Sequence, residues 1–134
     1  MNTSMVAAAS LFAAGTAVTT AIGWQERLPS EPFGTVTPGT GQDDPAGKLL
    51  LATGVSAPWP MPVLALIAAL AGRPDAAWPA RTLTVLGVTL TVGVLIEPVS
   101  YGLRSRKPLV LATVPLNLAT AAVLILAGRR NRRA

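Results

Sequence analysis

Hydrophobic and polar residues alternate on a coarse scale along this chain: four long apolar runs are separated by segments rich in proline, glycine or arginine. The runs cover about residues 5–24, 48–72, 81–103 and 109–128. A helix needs about 20 mostly apolar residues to cross the hydrocarbon of a bilayer, and buried helices of soluble domains rarely need so many together. The pattern therefore predicts an all-α integral membrane protein with a single domain. Loops between the last three runs are short, so consecutive helices are expected to be antiparallel neighbours in an up-down four-helix bundle.

Each run has its own character. The first, Met5 to Trp24, is rich in alanine, glycine and threonine, and no basic residue precedes Arg27. A signal peptide starts with positive charge, so this run is expected to be a retained span. Ala9, Ala13, Ala17 and Ala21 lie four apart, and Gly15, Thr19 and Gly23 form a second small stripe. Stripes of this kind let helix backbones approach closely in lipid. Residues 25–47 form a long loop whose prolines and glycines exclude a regular helix. Its adjacent Asp43 and Asp44, without further ligands at a metal-binding spacing, read as a solvated loop. The second run is interrupted by Pro58-Trp59-Pro60-Met61-Pro62, and prolines at this density are expected to break the helix there. Carbonyls freed at membrane depth are tolerated only against protein or a wet cavity, which makes the break a cavity candidate.

Composition narrows the chemistry. The chain has no cysteine and no histidine. Disulfides, thiol catalysis, Cys/His zinc sites, histidine-ligated haem and histidine acid–base chemistry are thereby excluded. No phosphate-binding loop, dinucleotide fingerprint, metal-binding triplet or Gly-x-Ser-x-Gly elbow is present, so neither cofactor nor metal is expected. The formal charge is +5. Because the basic residues flank the apolar runs, they read as topology anchors in a lipid bilayer rather than as nucleic-acid contacts. Four spans place both termini on one side with Arg73, Arg81, Arg129, Arg130, Arg132 and Arg133. Arg27, Lys48, Arg104, Arg106 and Lys107 fall on the other. This balance predicts a cell-membrane protein with cytoplasmic termini and a basic tail at 129–134.

One acid stands out. Glu97 lies inside the third run, roughly 10 Å below the interface marked by Arg104. On a helical wheel Thr89, Gly93, Glu97, Ser100, Tyr101 and Arg104 share a face. Asn117, Thr53, Ser56 and the threonines at 16, 19 and 20 fall at similar depth, which predicts a polar pocket opening toward the long loop. Glu97, Tyr101 and Asn117 are the catalytic candidates, and Ser56, Trp59, Thr89, Ser100 and Arg104 the ligand-binding ones. Acids inside a membrane point to function by default. The simpler alternative has Glu97 hydrogen-bonded to Asn117 or Tyr101 as glue between helices. Three functions compete. A binding or accessory protein, taking a lipophilic small molecule, a second copy or a membrane-protein partner, requires only the spans. An isomerase- or cyclase-type enzyme would use Glu97 as acid or base on a lipophilic substrate. A proton- or cation-coupled transporter would need an oligomer.

Overall fold

The computed structural model describes residues 2–38, 45–72 and 76–132. The described residues are helical, apart from loops and one isolated bridge. Asp43, Asp44, Arg73 and Arg133 lie outside them. Among the described residues three helices are long and apolar enough to cross a membrane: α1 (Thr3–Gln25), α4 (Ala77–Ile96) and α5 (Pro108–Arg132).

The second run folds differently from the expectation. It forms a short helix α2 (Pro45–Leu51), a non-helical turn and a 12-residue helix α3 (Pro60–Ala71). At 1.5 Å per residue α3 is about 18 Å long, well short of a 30 Å hydrocarbon layer. The helix was expected to break across Pro58–Pro62. Instead it has already ended at Leu51, and Pro60 and Pro62 stand in the first turn of α3. First-turn amides have no partner within the helix, so a proline there forfeits nothing and its fixed φ helps the helix start.

The ends of α1 are set locally. Asn2 caps its start, its Oδ1 accepting from the Ser4 amide at 3.1 Å. At its end, the Leu28 amide donates to the Gly23 carbonyl at 2.9 Å and the Arg27 amide to that of Trp24 at 3.2 Å. These are the paired bonds of a Schellman cap, with Arg27 at φ 53° in the left-handed position usually held by glycine. The cap turns Leu28 inward, where it is buried with Ile22, Val55, Val99 and Val110.

Packing follows the cyclic order α1, α3, α4, α5. Asn131 near the end of α5 hydrogen-bonds Asn2 and Ser4 at the start of α1, so these two helices run antiparallel. Close approach of α4 to α5 depends on Gly87, where a Cβ would lie 2.7 Å from the Ala121 carbonyl. Of the two small stripes on α1, the one through Gly15, Thr19 and Gly23 faces inward, whereas Ala17 and Ala21 are exposed. Phe12, Leu83 and Leu124 fill the centre. The outward residues of the helices are aliphatic, among them Leu11, Val18, Ile67, Val85, Val92 and Leu126, which is the surface a lipid environment requires.

Helix α4 starts and stops earlier than its apolar run. Trp78, which falls between the second and third apolar runs, lies in the first turn of α4. The helix ends at Ile96, and Pro98–Tyr101 form a separate 3-10 turn closed by left-handed Gly102. A proline disfavours helical geometry in the residue before it, and Glu97 is accordingly extended (φ −85°, ψ 124°).

Gly23→Ala and Gly87→Ala should each overpack a helix contact and destabilise the protein by about 1–3 kcal/mol. Gly93→Ala, whose new Cβ meets nothing within 4 Å, should be neutral or stabilising by roughly 0.5–1 kcal/mol. Thermal unfolding of the detergent-solubilised variants separates these outcomes; equal losses at all three positions would contradict the packing described.

Candidate functional site

The turn between α2 and α3 is buried from Ala52 to Ala57, so its backbone polar groups need partners inside the protein. Local side chains supply several. Ser56 Oγ accepts from the Thr53 amide at 3.1 Å and from Thr53 Oγ1 at 2.9 Å. The Gly54 amide donates to the Leu28 carbonyl at 3.2 Å, linking the turn to the Schellman cap of α1. Asn117 Nδ2 reaches from α5 to the Val55 carbonyl at 2.8 Å. Gly23 makes room for the turn, since a Cβ there would fall 2.2 Å from Thr53 Oγ1. Ala52 carries the strain of entering the turn, at φ 93°.

Glu97 closes the structure above this turn. Ser30 Oγ donates to Glu97 Oε1 at 2.7 Å, and the Glu31 amide donates to Oε2 at 2.9 Å. The carboxyl group thus holds the loop after α1 against the end of α4. Two ion pairs reinforce the same seam from outside, Arg104 with Glu31 and Lys107 with Glu26. Beyond Ser30 the chain turns through Phe33 and Gly34, both at positive φ, and returns where the Thr37 amide donates to the Ser30 carbonyl at 2.7 Å.

Between the buried turn, α4, α5 and this loop lies a cavity of about 290 Å³. Its walls are mainly apolar, including Val55, Ala57, Met61, Leu90, Val94 and Val114, with polar atoms from a few side chains. Five of the eight catalytic and ligand-binding candidates come together here: Ser56, Thr89, Glu97, Ser100 and Asn117. Three do not line it. Tyr101 is 62% exposed, and its hydroxyl donates to the Leu95 carbonyl at 2.8 Å. Trp59 turns its indole N–H to Thr20 Oγ1 at 3.2 Å. Arg104 is outside, paired with Glu31. Neither hydrogen bond foreseen for Glu97 forms, because Asn117 serves Val55 and Tyr101 faces away.

Most threonine hydroxyls of the interior are used at home. Thr19, Thr84, Thr91 and Thr120 each donate to a carbonyl one turn earlier in their own helix. They are therefore satisfied in lipid without marking a site. Among the described residues no buried side-chain nitrogen or oxygen lacks a partner. No group of three or more potential metal-ligating side chains occurs among them either.

Comparison with known protein families, with curated proteins and with solved structures finds no match to this chain.

Ser30 and Glu31, which hold Glu97, escaped the sequence reading, and Thr53 was placed in the polar layer without its hydrogen bond to Ser56. The one available signal was the pairing of Thr53 with Ser56 around Gly54, a turn-forming composition inside an apolar run. Asn117→Leu, close in volume but unable to donate, should leave the Val55 carbonyl unpaired and cost about 1–3 kcal/mol. Unfolding of the variant in detergent measures this, and wild-type stability would deny Asn117 its role in holding the turn.

Proposed function

We propose that this chain is a four-span membrane bundle whose role is to bind a lipophilic small molecule in the cavity between the buried turn, α4 and α5. In this reading α2, the turn and α3 together make the second crossing, and the other crossings are α1, α4 and α5. The cavity is the observation that carries the proposal. Its volume is about twice that of a 150 Å³ apolar cavity able to take benzene, and its lining combines aliphatic walls with a few convergent polar groups, as small-molecule sites do.

Binding is favoured over acid–base catalysis by the state of Glu97. Both of its oxygens accept hydrogen bonds that hold a loop in place. A proton-transferring carboxyl needs a reacting group within hydrogen-bond reach, and Tyr101, its expected partner, points elsewhere. The charge distribution supports cytoplasmic termini. Arg129, Arg130 and Arg132 crowd the last turn of α5, on the side that carries six of the eleven basic residues.

Gly93 lines the cavity with open space where a Cβ would be, so Gly93→Phe should fill the cavity without displacing the backbone. Saturable binding of a neutral solvatochromic dye to the purified protein is expected in the wild type and in Gly93→Ala, and lost in Gly93→Phe. Equal dye binding by the phenylalanine variant would place the ligand elsewhere and sink the proposal. A reporter fused after Arg132 should be active on the cytoplasmic side and one inserted after Thr37 on the opposite side; the reverse pattern would invert the orientation.

A further inference from the structure

We infer that the ligand of this cavity is a lipophilic amine, whose protonated nitrogen meets the Glu97 carboxylate while its hydrocarbon lies along Met61, Leu90 and Val94. The inference rests on the binding reading and adds the chemical class of the ligand. Among the described residues lining the cavity, Glu97 is the one ionisable side chain, and no lysine or arginine is with it. Its two hydrogen-bond donors, the Ser30 hydroxyl and the Glu31 amide, are neutral. On its outer side it adjoins a recess shared with Glu26, Arg27, Glu31 and Arg104, where both signs of charge occur. There Arg104 is committed to Glu31, and nearby Lys107 to Glu26. The cavity side of the carboxylate is thus without a counter-charge.

A buried charge lacking a counter-ion is costly, and a ligand that carries the opposite charge converts this cost into selectivity. An ionised carboxylate offers about four acceptor sites, so two protein donors leave room for an ammonium N–H. A fatty acid would bring a second negative charge to the same place and be repelled. A neutral amphiphile would gain only the apolar contacts.

The mouth of the cavity fits the other half of such a ligand. Thr89 and Leu51 line the cavity and are themselves exposed, with Pro58 and Met61 half-buried beside them. Thr89 stands on α4 between the exposed aliphatic residues Val85, Val88 and Val92. The opening therefore faces the same direction as a lipid-facing helix surface. It arises because α3 begins only at Pro60 and leaves this stretch of α4 beside the buried turn rather than beside a helix. A hydrocarbon chain dissolved in the bilayer has direct access.

Matched ten-carbon probes test the assignment: decylamine, 1-decanol and decanoate, titrated calorimetrically into the full chain in neutral-detergent micelles at neutral pH. Decylamine should bind at least about tenfold more tightly than 1-decanol, the scale of one charge-assisted hydrogen bond, and decanoate most weakly. In Glu97→Gln the ratio of amine to alcohol affinity should fall to about one. Should that variant not fold, Ser100→Lys gives the same information with Glu97 intact. Ser100 lines the same cavity three residues after Glu97, its amide donating to the Glu97 carbonyl at 3.1 Å, so the new ammonium would take the ligand's place and abolish the amine preference. Equal affinities for amine and alcohol in the wild type, or a preference that survives in Glu97→Gln, would overturn the inference. If 1-decanol still displaces the solvatochromic dye while the amine gains nothing, the binding reading stands and only the ligand class is wrong. If no probe and no dye binds, the binding reading itself has failed.

Discussion

A buried, non-helical stretch of backbone must find its hydrogen bonds within the protein, and the rest of this structure is arranged around that demand. From Ala52 to Ala57 the chain is buried but not helical. Each neighbouring element contributes something to accommodate it: α1 its glycine at 23, the loop after α1 the Leu28 carbonyl, and α5 the amide of Asn117. A regular helix satisfies its own backbone and could have been inserted without any of these partners. The turn ties these three segments of the chain together because it cannot satisfy itself.

The cavity is a by-product of the same arrangement. A turn stands here in place of a helix, and the space beside it is lined by α4 and α5. This space is apolar because most lining side chains belong to helices built for lipid. It is polar at its edge because the groups that serve the turn and the loop, Ser56, Asn117 and Glu97, converge there. The polar lining of the cavity and the support of the turn and loop thus come from the same residues.

The sequence made the spanning helices legible, since twenty consecutive apolar residues have few other uses. It also brought Ser56, Thr89, Glu97, Ser100 and Asn117 to attention through depth and helical phase. It misplaced the break in the second run because a proline cluster reads equally well as the end of one helix or the start of the next. Tyr101 and Arg104 were assigned to the face of Glu97 by extending a helical wheel past Pro98, where the helix has already stopped. The partners of Glu97 could not be read at all. Ser30 lies 67 residues away in a loop without periodicity, and nothing in its neighbourhood announces a buried hydroxyl.

The seam between α1 and α5 has a consequence for assembly. Asn2 and Asn131 are 129 residues apart in sequence yet touch in the fold. Helix α1 is made early and must wait while α3 and α4 are synthesised, since α5, the helix that covers one of its flanks, emerges after both. During that interval the part of its inward stripe that meets α5, at Gly15 against Thr120, lies open to lipid or to any other helix within reach. The order of synthesis, and not stability alone, therefore determines how long this protein stays vulnerable to pairing with the wrong neighbour.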